Sequence, residues 1–585
     1  KTYQIAPASL EAALNQFGRE AGVLISFGSD VTAGLQSRGL SGNYSAADGL
    51  QTLLEGTGLQ ARAEGDNAYS LQPANAPTTL ELGTSTVVGD WLGDAAQANV
   101  FEHPGARDVI RREAFERQGA TQAKDVLNRI PGVNAPDNNG TGSHDMALNF
   151  GIRGLNPRLA SRSTVLMDGI PVPFAPYGQP QLSFAPISLG NMDAVDVVRG
   201  GGAVRYGPQN VGGVVNFVTR AIPDAPTVKG GLQTETSPSS SHDGFKSTAN
   251  LLAGGTADNG LGGALLYSGT RGGDWRENSN TRIDDLILKG KYQLDDANSF
   301  NAMAQYYEGQ ADMPGGLNVA DYKADPYQST RPYDKFWGRR TMFNVGYRYE
   351  QDRREFTVNS FFTKTLRSGY LDQGTFLSLS PREYWVRGLE TRLAQGFDLG
   401  PTSHEVGVGY RYINEAGHEL RYRTPISANN QQIPTTDSRN DRDTRGGTEA
   451  NAFFVDDRID IGRWTITPGI RYEMIESQQS NNLTNVKYKG DYNTALPALN
   501  VLYHLTDDWN LYANTEGSFG SVQYSQMPNR VTSGEVKPEK ARTWELGTRY
   551  DNGSLRAEIG AFLINFDNQY ESNQTNDSVI ARGQT

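Results

Sequence analysis

From residue 224 onward, apolar and polar side chains alternate along the chain with a period of two. In the segment 463–474, for example, Trp464 and Ile466 flank Thr465. Successive side chains of a β-strand point to opposite faces of the sheet, so the pattern predicts strands with one apolar and one polar face. We count about 15 such strands in this region.

The connections between these strands alternate between short turns and long polar stretches. The short turns lie near 295–298, 351–354, 399–402, 461–462, 506–508 and 551–553. The long stretches are 308–339, 367–384, 417–446, 476–493 and 518–539. Short turns on one side of a membrane and long loops on the other are typical of outer-membrane barrels. A soluble all-β domain has no physical reason to keep this parity, so the pattern favours a transmembrane antiparallel β-barrel over that alternative.

The predicted barrel domain occupies residues 223–585. A closed bacterial barrel needs an even number of strands, because no strand edge can face lipid. The count here is odd, and the sequence ends soon after a polar, loop-like stretch at 573–577. We therefore expect the natural protein to continue past Thr585 and to complete the barrel there.

Three segments precede the predicted barrel. Residues 1–72 predict a small α+β domain, because apolar residues recur at helical spacing after Ser9 and again from Ala46, each time followed by a strand-like stretch. Residues 73–88 are rich in proline and small polar side chains and predict an extended linker. Residues 89–222 form a second α/β segment that is rich in glycine and arginine.

The composition disfavours several functional classes. The chain of 585 residues contains no cysteine, which excludes disulfides, thiolate metal sites and cysteine nucleophiles. The formal net charge of -12 argues against nucleic acid as a general partner. The 6 histidines show neither metal-ligand spacing nor a recognisable triad, and no Walker lysine is present. We therefore predict a protein that is not an enzyme and has no cofactor of its own.

Four motifs in the second α/β segment carry a specific resemblance. They are 149–155, 165–171, 195–207 and 212–220. In order and spacing they resemble the plug of TonB-dependent transporters, and the resemblance continues through the barrel region. It implies a barrel of roughly 22 strands with the plug in its lumen, so that C-terminal strands are missing from this sequence. It also implies a monomer surrounded by outer-membrane lipid of a Gram-negative bacterium, with residues 1–72 in the periplasm.

Further segments narrow the resemblance to ferric citrate receptors within this family. They are 139–145, 176–180, 365–370 and 573–576. The resemblance implies import of ferric citrate, with iron carried only inside the ligand and no metal bound directly by the protein. It implies a ligand site formed by Thr141, Arg153, Gln179 and Arg199 of the plug and by Arg367, Arg382, Arg442 and Gln574 of the barrel.

Arginine suits the expected ligand, because its planar guanidinium binds a carboxylate through two hydrogen bonds and stays charged. The parity of the connections independently places the barrel members of this set on the extracellular side. Two alternatives remain open. Surface loops often carry arginine for solubility, and Arg153 and Arg199 could instead form ion pairs between the plug and the barrel wall.

The resemblance also implies protein partners. Residues 81–88 resemble the TonB box, which adds a strand to the energy-transducing protein TonB. The predicted box residues are Leu82, Thr84, Ser85, Thr86, Val87 and Val88. Residues 1–72 resemble the periplasmic signalling domain that contacts an inner-membrane anti-sigma regulator, with a passive spacer as the alternative. The alternative functions are a receptor for another anionic iron chelate and a passive porin or adhesin.

Overall fold

The computed structural model describes most of the chain. The described residues are 1–26, 32, 35–54, 56–65, 68–73, 100–136, 144–199, 204–237, 244–425, 439–528, 537–573 and 578–582. They belong to two compact units, Lys1–Thr86 and Val87–Thr585.

The N-terminal unit is a small α+β domain. Its strands are β1 (Thr2–Ile5), β2 (Ala8–Ser9), β3 (Leu24–Ser26), β4 (Gln36–Ser37), β5 (Leu40–Asn43), β6 (Leu59–Gly65) and β7 (Ala68–Pro73), and its helices are α1 (Leu10–Ala21) and α2 (Ala46–Leu54). Strand β1 pairs with β5, β2 pairs with β4, and β3, β7 and β6 form a three-stranded sheet. Both predicted helices are confirmed, and each is followed by a strand.

The two helices of this unit share one core. Leu10, Leu14 and Phe17 lie at helical spacing on α1, are fully buried, and pack with Leu50 and Leu53 of α2. This spacing of three or four residues places the apolar side chains on one face of the helix. The amphipathic pattern read from the sequence therefore positions the core of the domain.

The second unit begins with an α/β plug. Its strands are β8 (Arg107–Arg111), β9 (Val133–Asn134), β10 (Gly151–Ile152), β11 (Thr164–Met167), β12 (Ile170–Pro171), β13 (Met192–Val198) and β14 (Val214–Thr219), and its helices are α3 (Arg112–Arg117) and α4 (Ala123–Leu127). Five strands form one mixed sheet in the order β12-β11-β14-β13-β8. Both faces of this sheet are covered, which explains the nearly continuous apolar sequences of β11 and β14.

The plug is followed by a large antiparallel sheet. Its strands are β15 (Thr227–Ser237), β16 (Gly244–Thr256), β17 (Leu261–Gly273), β18 (Asn280–Gln293), β19 (Asn298–Asp312), β20 (Lys335–Gln351), β21 (Arg354–Asp372), β22 (Phe376–Leu379), β23 (Arg382–Leu399), β24 (Thr402–Pro425), β25 (Arg439–Ile461), β26 (Trp464–Asn481), β27 (Val486–Thr506), β28 (Trp509–Gly520), β29 (Glu539–Asp551) and β30 (Arg556–Asp567). A short helix α5 (Val319–Ala324) lies between β19 and β20, and β31 (Gln569–Asn573) pairs with β32 (Ser578–Arg582). Of the 16 strands in the large sheet, β22 is a short addition to the ends of β21 and β24. The 15 others agree with the sequence-based count.

Each connection expected to be short is a tight turn, but the predicted long stretches are partly wrong. The stretch 476–493 is a hairpin in which only residues 482–485 leave the strands, and β24 and β25 extend far into the stretch 417–446. The polar side chains of these stretches suggested loops, but the backbone hydrogen bonds of a hairpin do not depend on side-chain polarity. Beyond the bilayer, both faces of such a hairpin can contact water.

The outward face of the large sheet carries the apolar side chains. Val228, Leu232 and Ile559 are each more than 70 % exposed. Near the short turns, the rings of Trp464 and Tyr503 pack at a tilt, with centroids 4.5 Å apart. Exposed apolar strands with aromatic residues at one rim are the surface that a membrane barrel presents to lipid.

Among the described residues, no helix is both long and apolar enough to cross a membrane.

The plug packs inside the large sheet. Val172 and Leu182 of the plug share a buried apolar cluster with Ile413 and Ile475 of the wall. Polar contacts add to this cluster: Arg549 of β29 donates hydrogen bonds to four plug carbonyl oxygens, those of Val100, Phe101, His103 and Gly105, over 2.6–3.0 Å. The lumen of the sheet is therefore filled by the plug.

We expect the buried ion pair between Arg107 of β8 and Asp196 of β13 to stabilise the plug strongly. Both side chains are fully buried, and two hydrogen bonds of 3.0 and 2.7 Å join them. The substitution Asp196→Ala should lower the free energy of unfolding of the plug by about 3–5 kcal/mol, because it removes the main counter-charge of a buried guanidinium. Protease susceptibility of the plug as a function of temperature measures this loss. The control Glu116→Ala removes a half-exposed partner of Arg112 and should change stability by less than about 0.5 kcal/mol. Equal effects of the two substitutions would contradict the prediction.

Candidate ligand-binding site

Three of the predicted arginines come together at the end of the sheet that carries the long connections. Arg367 of β21 and Arg382 of β23 are direct partners across two antiparallel strands. Arg382 in turn lies opposite Glu419 of β24, and Arg442 lies on β25. Four neighbouring strands thus bring residues far apart in sequence to one rim.

Glu419 lies between two of these arginines. Nη1 of Arg382 is 3.5 Å from Oε1 of Glu419, and Nη1 of Arg442 is 3.5 Å from Oε2. The Tyr384 hydroxyl donates a hydrogen bond of 2.6 Å to Oε1 of the same carboxylate. We call Arg367, Arg382, Arg442 and Glu419 the arginine cluster. Its three guanidiniums and one carboxylate give it an excess of positive charge.

Aromatic rings from the plug and the wall lie beside the arginine cluster. The Arg367 guanidinium carbon is 5.5 Å from the ring centroid of Phe174 and 5.7 Å from that of Phe336. Phe174 belongs to the plug loop of residues 172–188 and stacks on Tyr384, with centroids 5.3 Å apart. His144 of the plug stacks on Phe336 at 4.6 Å. These rings restrict the orientation of Arg367 and attract its charge.

Two donors of the cluster have no acceptor among the described residues. The Nε atoms of Arg367 and Arg382 are both buried and make no hydrogen bond there. A buried donor without an acceptor costs about 1–3 kcal/mol. The cluster is therefore suited to receive an anion with several oxygen atoms.

Gln179 lies on the plug loop 172–188, the loop that also carries Phe174. Its side chain is buried, and its Nε2 donates a hydrogen bond of 3.3 Å to Oε1 of Gln181. Its backbone N–H donates to the carbonyl of Ala175 over 2.8 Å. The structure thus places this predicted residue in the part of the plug that faces the long connections.

The structure does not bring Arg153 and Arg199 into the cluster. Nη2 of Arg153 lies 2.5 Å from Oε1 of Glu545, near the middle of β29, and both side chains are buried. Arg199 forms an ion pair with Asp108 and lies 3.9 Å from Glu558, next to the short turn 552–555. Arg153 therefore forms the plug–wall ion pair of the alternative left open above, whereas Arg199 pairs chiefly with Asp108 of β8 inside the plug. The sequence does not reveal this, because the carboxylates on β29 and β30 are hundreds of residues away.

Several predicted residues lie outside the described part of the chain. They are Thr141, Gln574 and the whole predicted TonB box, Leu82, Thr84, Ser85, Thr86, Val87 and Val88. Their roles stay predictions.

Sequence reasoning missed Glu419, Tyr384 and the aromatic residues of the site. The position of Tyr384 in the site could have been predicted, because it lies two residues after Arg382 on one strand and therefore on the same face of the sheet. The position of Glu419 could not have been predicted, since its proximity to Arg382 depends on the register between β23 and β24. Phe174 and His144 become neighbours of the wall only once the plug is inside the sheet.

A β-sheet that surrounds an α/β plug, preceded by a small α+β domain, is the architecture of a TonB-dependent receptor. The chain belongs to this family. Residues 274–583 match the family described as TonB dependent receptor-like, beta-barrel, and residues 99–214 match the TonB-dependent Receptor Plug Domain. Residues 23–74 match the Secretin and TonB N terminus short domain. The chain is therefore a receptor of the Gram-negative outer membrane rather than an enzyme, and its N-terminal domain lies in the periplasm.

Individual TonB-dependent receptors resemble the chain to different degrees. The crystal structure of the ferric citrate transporter FecA in the unliganded form is 68 % identical, with a TM-score of 0.82, and covers 85 % of this chain and 75 % of that chain. The ferrioxamine B receptor of Salmonella typhimurium is 22 % identical, over 81 % of this chain and 68 % of the receptor. The ferric-pyoverdine 358 receptor of Pseudomonas putida is 21 % identical, over 100 % of this chain and 75 % of the receptor.

Glu419 should compete with an anionic ligand for the guanidiniums of the arginine cluster. The substitution Glu419→Gln keeps an acceptor for Tyr384 but removes the negative charge. We expect it to tighten the binding of a polycarboxylate roughly 10-fold, because a like charge near the ligand is removed. A titration with ferric citrate, monitored through tryptophan fluorescence, measures this change in affinity.

The matched control is Glu383→Gln, on the same rim. Glu383 precedes Tyr384, is 45 % exposed and pairs with Lys364. It should leave the affinity unchanged. Weaker binding by the Glu419→Gln protein would contradict the prediction and would mean that Glu419 positions the arginines.

His144 should be neutral at physiological pH. Burial lowers the pKa of this histidine to about 4, while Asp145 raises it and Arg367 lowers it further. An unfolded chain binds the proton near pH 6.5. The stability that follows from the neutral ring is thus fully present above pH 6.5 and is lost as the pH falls toward 4.

The substitution His144→Gln should therefore make the pH dependence of thermal unfolding shallower between pH 6.5 and 4. Melting curves of the plug across this range compare the two proteins. Identical slopes would show that His144 does not titrate in this way.

Proposed function

We propose that the chain imports ferric citrate across the outer membrane and that TonB supplies the energy. The observation that carries this proposal is the arginine cluster, in which three guanidiniums on neighbouring strands meet at the rim with the long connections. The 68 % identity to the ferric citrate transporter FecA supports the same ligand.

The chemistry of the cluster suits this ligand. Ferric citrate is an anion whose free carboxylates need cations and hydrogen-bond donors, and guanidinium groups supply both. The buried Nε atoms of Arg367 and Arg382 are donors of this kind. The iron stays inside the chelate, so the protein needs no metal ligands. A positive rim on a chain with a net charge of -12 concentrates an anion where it is needed.

Passage through the barrel requires a change in the plug. The plug packs against the wall through the apolar cluster that contains Val172 and Ile413, which disfavours a passive porin. We infer that TonB adds a strand to the box at residues 82–88 and acts on the plug from the periplasm. Because the chain holds no nucleotide-binding motif, the energy comes from this partner.

The N-terminal domain gives the receptor a second task. Its match to the Secretin and TonB N terminus short domain supports a signalling role. We infer that residues 1–72 contact an inner-membrane anti-sigma regulator and report that ligand is bound. Deletion of this domain should abolish citrate-dependent transcription and leave uptake of iron unchanged.

The double substitution Arg382→Ala plus Arg442→Ala tests the ligand site. We expect the affinity for ferric citrate to fall at least about 100-fold, because two charge-assisted contacts of about 1.5–3 kcal/mol each are lost. Citrate-dependent binding of radioactive iron by the purified protein measures the loss. The control Arg339→Ala removes an exposed arginine of the neighbouring strand β20 and should have no effect.

Three outcomes of this experiment would contradict the proposal. Undiminished binding by the double variant would show that the site is elsewhere. An equal loss in the control would mean that surface arginines act only through the general charge of the protein. Binding of another anionic ferric chelate but not of ferric citrate would replace the proposed ligand. Uptake of iron-labelled citrate by cells with and without TonB tests the source of energy.

A further inference from the structure

Tyr524 is a buried residue on a long connection. It follows β28 in the connection 521–538, yet its side chain is only 4 % exposed. Its ring lies between two glycines. A Cβ atom on Gly178 of the plug would lie 2.1 Å from the ring, and one on Gly446 of β25 would lie 2.5 Å from it. Both positions therefore need glycine because the ring of Tyr524 occupies the space of a side chain.

Hydrogen bonds join the same three parts of the molecule. The backbone N–H of Tyr524 donates to the carbonyl of Gly178 over 2.9 Å, and the hydroxyl donates to Oε1 of Glu415 over 3.0 Å. Glu415, on β24, also accepts the backbone N–H groups of Gly178 and Tyr177 over 2.7 and 3.1 Å. Both backbone polar groups of Gly178 are thus bonded, one to the wall and one to the connection.

Two further contacts extend this arrangement along the plug loop 172–188. The Ser521 hydroxyl donates to the carbonyl of Tyr177 over 3.0 Å, and Nε2 of Gln181 donates to Oε1 of Gln523 over 3.4 Å. The start of the connection and the middle of the plug loop are therefore bonded along several residues.

The bonded part of the plug loop adjoins the residues of the ligand site. Gln179 directly follows Gly178, and Phe174 of the same loop lies beside Arg367. Glu415 lies four residues before Glu419 on β24, so both side chains point to the same side of the sheet. A displacement of Gly178 would therefore shift the plug side of the site relative to the arginine cluster.

We propose that Tyr524 is a positioning residue for the ligand site: it fixes the plug loop 172–188 between Glu415 of the wall and the connection 521–528. The inference rests on the proposed function, because it concerns the affinity for ferric citrate. The ring fills the gap between Gly178 and Gly446, and the hydroxyl and backbone N–H fix the register of the loop.

Two substitutions separate the ring from the hydroxyl. Tyr524→Phe keeps the ring between the glycines and loses the bond to Glu415, and we expect the Kd for ferric citrate to rise about 3–10-fold. Tyr524→Ala also loses the ring, and we expect a rise of about 30-fold or more. The control is Tyr322→Ala, which removes a 60 % exposed tyrosine from α5 in another long connection and should bind like the parent.

Hydrogen exchange of the peptide that contains Gly178, in the full protein without ligand, provides the second readout. We expect faster exchange in Tyr524→Ala and parental exchange in Tyr322→Ala. Faster exchange together with an unchanged Kd would show a merely structural role and would overturn the proposal. Unchanged exchange would overturn it as well. If the alanine variant does not fold, the Phe variant carries the comparison, and a parental Kd for it is the overturning result.

The parent protein and the double variant of the cluster separate this inference from the proposed function. If the parent does not bind ferric citrate, the proposed function fails and this inference fails with it. A second pattern of results leaves the proposed function intact. In it, the parent binds ferric citrate, the double variant Arg382→Ala plus Arg442→Ala does not bind it, and Tyr524→Ala binds it as well as the parent does. Only the inference about Tyr524 then fails.

Discussion

Every backbone N–H and C=O group that crosses a bilayer must find its hydrogen-bond partner inside the protein, because lipid offers none. Between neighbouring strands of the large sheet, the ladders from β15 to β30 supply these partners, and among the described residues the two end strands β15 and β30 do not pair with each other. The pairing also fixes which residues become neighbours. Arg367, Arg382 and Glu419 meet at one rim because three strands hold them in register. The candidate site thus depends on the same strand pairing that satisfies the backbone groups inside the sheet.

The same constraint acts on the plug inside the sheet. Its carbonyl oxygens and charged groups are removed from bulk water, and the wall supplies their partners. Arg549 contacts four carbonyls of the plug, and Glu545 pairs with Arg153. The buried arginines of the chain thus have two different kinds of environment. Arg153 pairs with a single carboxylate, that of Glu545, whereas the three arginines of the cluster outnumber Glu419.

Features that depend on local sequence could be predicted, and contacts between distant residues could not. Period-two strands, turn parity and the plug motifs were enough for the class of fold and for the number of long strands. Arg367 and Arg382 could be expected at the rim because they lie at the two ends of one predicted long stretch, and Arg442 because it lies within another. The pairing of Arg153 with Glu545 could not be predicted, since no local pattern links positions 392 residues apart. The long hairpin around 482–485 was missed because polar side chains also tolerate an extended strand.

The carboxylate of Glu419 has a consequence for selectivity. Because it is tethered next to Arg382 and Arg442, its effective concentration there exceeds that of a free carboxylate in solution. A monocarboxylate such as acetate offers the arginines nothing that Glu419 does not already provide. A chelate that presents several carboxylates at once can engage Arg367 as well, which Glu419 does not contact at ion-pair distance among the described residues. On the proposed function, we therefore expect the arginine cluster to favour solutes that carry several carboxylates over simple acids such as acetate.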